Sequence, residues 1–278
     1  MSQPYRMRVV PWWTDGCARF VTGVFKWWPR VLGRALKVLE YGAGNSTLYL
    51  LARGARVVSI EHDAGYRGFV RGAAEQAGYK VVETPPEGFA PTMLDAYDLV
   101  LIAATGFAET ERILCVGSWD VVINDGIGRR EVLEIIREKA IGALIILDNV
   151  EYCANWGRLD RTSAKPDLMR VYRAMLRDAA WRHYIFEQPE GREGHGQADA
   201  AGWESPHRWA SAVLWPQGHD FARLMVTQIG WPLVNPQGAD DADLEDIGVR
   251  CPFDWESMRW LKDPFPPELD LKLARDFD

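Results

Sequence analysis

Residues 38–63 read VLEYGAGNSTLYLLARGARVVSIEHD, and this stretch decides the fold. Lys37–Tyr41 is a short apolar run stopped by Gly42, which predicts a strand ending in a turn. Residues 46–53 then read as a helix, and Arg56–Glu61, rich in β-branched residues, predicts a second strand. The alternation continues outward. Residues 64–78 predict a helix and 79–83 a third strand, ended by Pro85-Pro86. Residues 119–125 and 143–148 predict two more strands; between them 129–140 carries apolar residues at 132, 133, 136 and 140, a helical period. A helix over 167–180 and two closing strands, 181–187 and 208–215, complete the pattern. Strands alternating with helices build a mostly parallel sheet with helices on both faces, here with seven strands. Residues 97–102 compete for the fourth strand, but 119–125 is preferred because it ends on Asp125-Gly126 and leads straight into a helix.

At about 150 residues per domain, 278 residues fall between one and two domains. The expected division is an N-terminal helical cap (1–36), the alternating core (37–217) and a Pro- and Asp-rich C-terminal extension (218–278) packed on that core. Within the core, 188–207 is polar and Gly-rich and predicts a long loop. Apolar residues make up 47% and charged residues 26%, which excludes a disordered or collagen-like chain. A net charge of −7 excludes nucleic-acid binding by broad phosphate neutralisation. The longest apolar runs, near 98–104 and 143–147, are too short to cross a bilayer, and the first residues lack the apolar region of a signal peptide. Cys17, Cys115, Cys153 and Cys251 form no CxxC pair, which suits free thiols in a reducing cytoplasm.

The chemistry concentrates at Glu40-Tyr-Gly42-Ala-Gly44-Asn45-Ser46-Thr47. Glycines at a strand-to-helix turn allow positive φ and let a ligand approach the backbone, and the helix behind offers free N–H groups. Glu61 ends the next strand, where a nucleoside ribose expects a carboxylate for its two hydroxyls. A dinucleotide fingerprint places a third glycine where Thr47 stands. An acid at position 40 would also repel a pyrophosphate but welcome a cationic amino group. S-adenosylmethionine carries an ammonium and a sulfonium and no phosphate, so it suits this turn better than a dinucleotide does.

These residues resemble the first two motifs of class I S-adenosylmethionine-dependent methyltransferases, above all the bacterial branch that writes the loop as G-x-G-N-S-T and the second acid as E-H-D. The likeness covers residues 12–149 and extends towards 215. It implies a Rossmann-like fold, with Glu40, Gly42 and Gly44 lining the methionine end of the cofactor, Asn45, Ser46 and Thr47 near it, and Glu61 on the ribose. His62, between Glu61 and Asp63, would orient the adenosine pocket. Ser46 stands where the family's motif commonly has a third glycine. The function implied is methyl transfer, with O-methylation of a small-molecule or carbohydrate-type acceptor ahead of N-methylation. The alternatives are an NAD-dependent oxidoreductase and a non-catalytic S-adenosylmethionine-binding protein.

Two strand ends carry further acids, Asp125 and Asp148-Asn149, and in an open α/β sheet strand C-termini converge on the ligand crevice. Three hard oxygen ligands would suit Mg²⁺, and the set resembles that of catechol-type metal-dependent O-methyltransferases. An Asp before Gly is equally a turn former or helix cap. Where those enzymes place a lysine, this chain has Gly128, and Arg129 and Arg130 follow; one of them could bind a carboxylate or phosphate on the acceptor. Asp125, Asp148 and Arg129 are therefore the catalytic candidates, Asp125, Asp148 and Asn149 the candidate metal set, and Asp125 also a candidate contact to the cofactor.

His183, His195, His207 and His219 are evenly spaced, but nothing else repeats with them; His195 or His207, in the 188–207 loop, is a candidate general base. Trp12, Trp13, Trp27 and Trp28 flank a segment with apolar residues at 17, 20, 21, 24 and 25, a helical spacing. Three readings stand: a cap over the cleft, weak contact with a membrane surface, and packing against the sheet, the last preferred.

Overall fold

The computed structural model describes residues 11, 13, 15–104, 108–126, 128–149, 170–172, 174–175, 178, 180–188, 209–216, 253–254 and 259–260. In chain order the main elements are α1 (Asp15–Leu32), β1 (Lys37–Tyr41), α2 (Asn45–Ala52), β2 (Arg56–Glu61), α3 (Ala64–Gln76), β3 (Val81–Thr84), α4 (Met93–Ala96), β4 (Leu99–Ala103), α5 (Ala108–Val116), β5 (Val121–Asn124), α6 (Arg129–Glu138), β6 (Leu144–Asp148), β7 (Trp181–Gln188) and β8 (Trp209–Pro216). The strands form one sheet in the order β3-β4-β2-β1-β5-β6-β8-β7. Pairing is parallel from β3 to β6, while β8 runs antiparallel to both β6 and β7. This is the Rossmann-like α/β fold expected, with one strand added.

The addition is β4. Both candidates for the fourth strand are present: Leu99–Ala103 lies between β2 and β3, and Val121–Asn124 lies on the other side of β1. The placement follows from composition. Leu99-Val-Leu-Ile102 is fully buried and needs cover on both faces, so it takes an inner position. Val81–Thr84 has no buried residue and goes to the edge.

The pleat sends alternate residues to opposite layers. Val38, Val57, Leu99, Leu101, Val121 and Ile123 face one layer with α1, α2 and α3. Leu39, Tyr41, Val58, Ile60, Val100 and Ile102 face the other with α4, α5 and α6. The N-terminal helix runs past the expected segment to Leu32, through Pro29, and ends at Gly33 with φ +66°. Its Cys17, Phe20, Val21, Val24, Phe25 and Trp28 are buried against the sheet together with Trp13. The apolar face of α1 is thus turned into the core, the packing role of the three readings. Arg34, just beyond α1, forks onto Asp120 at 2.6 and 2.9 Å, and Asp120 also accepts the Lys37 N–H at 2.8 Å, tying the starts of β1 and β5.

The long loop over 188–207 lies outside the described residues apart from Gln188, and so do His195, His207 and His219. Of the helix expected over 167–180, residues 170–172 and 174–175 are helical. Of the C-terminal extension, only the two-stranded ladder β9 (Phe253–Asp254) with β10 (Arg259–Trp260) is described. Among the described residues no helix is long and apolar enough to cross a membrane.

The strand order fixes where a ligand goes. From β1 the chain moves out one way through β2, then returns to place β5 on the opposite side. The loops after β1 and β5 therefore leave the sheet in opposite directions and open a crevice between them.

Candidate functional site

That crevice is a cavity of about 580 Å³ at the C-terminal ends of β1, β2 and β5. Its floor is a close approach of two glycines. Gly42 has φ +99°, a left-handed conformation that favours glycine, and a Cβ there would meet Gly126 at 3.1 Å. A Cβ on Gly126 would meet the Tyr41 backbone at 2.9 Å. The sequence marks Gly126 only as a turn, through Asp125-Gly126 following a strand. Gly42→Ala is expected to cost about 1–2 kcal/mol of stability from backbone strain, and to weaken cofactor binding with it. A melting temperature equal to wild type would contradict this.

Of the residues expected on the cofactor, Gly42, Gly44, Asn45 and Ser46 line the cavity on one side and Glu61 and His62 on another. Glu61 is nearly buried and braces the turn: Oε2 accepts the Ala43 N–H at 3.1 Å and Oε1 the Asp63 N–H at 2.8 Å. His62 Nδ1 stands 2.8 Å from Glu61 Oε1. Asp63 caps α3 by accepting the Tyr66 N–H at 2.9 Å. Tyr66 and Phe69, on the exposed side of that helix, also line the cavity; their surface exposure at helical spacing gave no sign of this in the sequence.

Glu40 is placed differently from the expectation that it lines the methionine end, and Thr47, expected near that end, lies under the turn with it. Neither lines the cavity. Glu40 is fully buried beneath the turn, where its carboxyl accepts Ser46 Oγ and Thr47 Oγ1 at 2.5 Å each and Ser59 Oγ at 2.8 Å. Thr47 Oγ1 in turn accepts the Gly44 N–H at 3.0 Å, so Glu40 anchors the turn through the first turn of α2. The reason is the pleat: Glu40 shares a face with Val38, towards α2, and not with Tyr41. Burial pushes its carboxyl up to about 7, against the three hydroxyls that favour the charged form.

At the other end of the cavity stand Asp125 and Arg129. Asp125, four residues before Arg129, receives Nη2 on Oδ1 at 2.9 Å. The same Nη2 reaches Asn149 Oδ1 at 2.8 Å and the Asp125 carbonyl at 3.1 Å. Arg129 Nε donates to the Asp148 carbonyl at 3.1 Å and Nη1 to the Gly126 carbonyl at 2.9 Å. Asn149 holds φ 58°, a conformation Asn tolerates. Burial raises the Asp125 carboxyl, against the pull of Arg129. Arg130 points elsewhere and pairs with Glu131 at 2.7 Å on its own helix.

The candidate metal set does not fit a divalent cation as it stands. Asp125 and Asn149 do converge, but on a guanidinium nitrogen. The Asp148 carboxyl is buried and accepts Ser211 Oγ at 2.6 Å across the β6–β8 pair. Among the described residues no group of three or more His, Cys, Asp or Glu is arranged to hold a metal. Beneath the acids lies Cys17 of α1, whose thiol is pushed well up by burial and by Asp148, so it stays protonated.

No protein-family model matches the chain, and no curated protein does. Among solved structures it is similar to the cofactor-bound protein Rv0187 from MTB, at 20% identity and TM-score 0.47, over 75% of this chain and 84% of that one. It is similar to an O-methyltransferase from Bacillus cereus solved with SAH, at 16% identity and TM-score 0.48, over 73% and 82%. A third is the O-methyltransferase TomG from Streptomyces achromogenes, involved in tomaymycin synthesis and solved with SAM, at 14% identity and TM-score 0.47, over 71% and 80%.

Proposed function

We propose that this chain is an S-adenosylmethionine-dependent methyltransferase acting on an oxygen of a small-molecule acceptor. One observation carries it: a single cavity at the switch point of the sheet has the glycine turn on one side, Glu61 on another and Asp125 with Arg129 at its end. The backbone of Gly42–Ser46 lies along the methionine moiety. Glu61 takes the ribose hydroxyls on lone pairs that its two backbone donors leave open. Tyr66 and Phe69, one turn apart beside Glu61, offer an apolar wall for the purine. Transfer then needs mostly positioning. The acceptor oxygen's lone pair forms the O–CH₃ bond as the C–S bond breaks and its electron pair returns to sulfur.

The nicotinamide alternative has less to stand on. Thr47 replaces the fingerprint glycine, and the acid at Glu40 underlies the place where a pyrophosphate would sit. Thermal denaturation with each ligand separates the readings. S-adenosylhomocysteine at 100 times its Kd is expected to stabilise the chain by about 2.7 kcal/mol, with NAD leaving it unchanged. Stabilisation by NAD alone would remove the proposal. Incubation with a metabolite extract and S-adenosylmethionine, followed by a mass search for added methyl groups, then tells an enzyme from a binding protein.

A further inference from the structure

We propose that Arg129 is a built-in cation standing where a divalent metal would otherwise hold the acceptor, and that the acceptor presents a single acidic hydroxyl to it in place of two adjacent oxygens. The inference rests on the methyltransferase reading for the identity of the reaction, but the site itself is drawn from side-chain geometry. Asp125 Oδ1 and Asn149 Oδ1, the two ligand oxygens at the ends of neighbouring strands, lie 2.9 and 2.8 Å from one nitrogen, Arg129 Nη2. Two oxygens converging on one point is what a metal requires, and a fixed positive charge already holds that point. The remaining acid, Asp148, is tied down beside them: its carboxyl takes Ser211 Oγ and meets the Asp125 carboxyl, and its carbonyl takes Arg129 Nε.

A guanidinium has five N–H groups and cannot be deprotonated in a protein. Nε gives one to Asp148, Nη1 one to Gly126, and Nη2 both of its own to Asp125 and Asn149. One N–H on Nη1 has no acceptor among the described residues, and Arg129 lines the cavity. A metal would take two neighbouring oxygens and lower a hydroxyl's pKa strongly. One N–H of a monovalent cation takes one oxygen and lowers it less. The fitting acceptor is therefore a phenol- or enol-type hydroxyl that is acidic on its own. It loses its proton to water, is held as an oxyanion by Nη1, and attacks the methyl carbon while the C–S pair leaves on sulfur. Vicinal diols, which need chelation, do not suit the site.

The test is Mn²⁺ binding, read from loss of the free-ion electron paramagnetic resonance signal, on the full chain saturated with S-adenosylhomocysteine. Wild type is expected to leave the free-ion signal intact at millimolar Mn²⁺. Arg129→Ala, by releasing the two oxygens, is expected to gain one bound ion per chain, lost again when Asp125→Asn is added. One ion bound by wild type and abolished by Asp125→Asn overturns the proposal, as does an Arg129→Ala protein, folded by circular dichroism, that stays as blind to Mn²⁺ as wild type. If that variant does not fold, the wild-type arm decides. Calorimetry on the ligand-free proteins keeps the two ideas apart: failure to bind S-adenosylhomocysteine removes the methyltransferase reading and leaves the Mn²⁺ result standing. Where products form, the methylated set is expected to be the same in chelator as in Mg²⁺. Products methylated on vicinal diols that vanish in chelator overturn the acceptor class.

Discussion

Glu61→Ala is expected to bind S-adenosylhomocysteine more weakly than wild type by about 2–3 kcal/mol, or about 30- to 150-fold. Two losses combine. The variant gives up the carboxylate oxygens proposed for the ribose hydroxyls, and charge-assisted hydrogen bonds are the stronger kind. It also frees the Ala43 and Asp63 N–H groups that Glu61 now holds at 3.1 and 2.8 Å, so the turn itself loosens. Glu61→Gln separates the two, because it keeps one acceptor oxygen of the same shape without the charge. Its loss is expected to fall between wild type and the Ala variant, with less effect on melting temperature. Titration calorimetry on the three proteins is the measurement. Equal affinities would leave Glu61 as a brace of the turn and take the ribose away from it.

How far the sequence could be read depends on which physical rule each feature obeys. The glycine turn was legible because Gly42 obeys a local rule: a backbone at φ +99° packed against another loop excludes a side chain. The alternation of strands and helices was legible for the same reason. The position of β4 was not, because a continuous apolar run says that a strand is covered on both faces without saying by which neighbours. Glu40 shows a finer limit. Its spacing from the glycines correctly puts it at the end of β1, but the pleat sends it under the turn and leaves the cavity wall to others. Three hydroxyls, two from α2 and one from β2, make that burial tolerable, and only the paired strands bring Ser59 opposite Glu40. The acid end of the site meets the same limit. Asp125 precedes the helix that Arg129 begins, and Gly128 at φ +84° folds the two together, so the helical four-residue rule does not announce this pair. Asn149 joins them because β6 lies beside β5, which is a fact of topology.

The burial of Glu40 has a consequence for stability as a function of pH. Its carboxyl is held at about 7 in the folded chain, against an ordinary value of 4.5. Between those values the folded protein keeps a proton that the unfolded chain has released, so raising the pH draws the equilibrium towards unfolding. The contribution is fully present below about 4.5 and is lost as pH rises through about 7; beyond that both states are ionised and the slope vanishes. The shift corresponds to a loss of about 3 kcal/mol across the window. Asp125, also raised by burial, contributes a slope of the same sign, so the wild-type curve alone does not isolate Glu40. Glu40→Gln does, since it stays neutral at every pH and keeps an oxygen for the hydroxyls of Ser46, Thr47 and Ser59. Urea unfolding from pH 4.5 to 8 is expected to show wild type losing about 3 kcal/mol more than Glu40→Gln over the range. Parallel curves for the two proteins would mean that Glu40 ionises at its ordinary value. The same linkage reaches the cofactor. S-adenosylmethionine brings one more positive charge to the turn than S-adenosylhomocysteine does, and an ionised Glu40 beneath Ser46 attracts it. The affinity ratio of the two ligands is therefore expected to move towards S-adenosylmethionine as pH rises through this window in wild type, and to stay flat in Glu40→Gln.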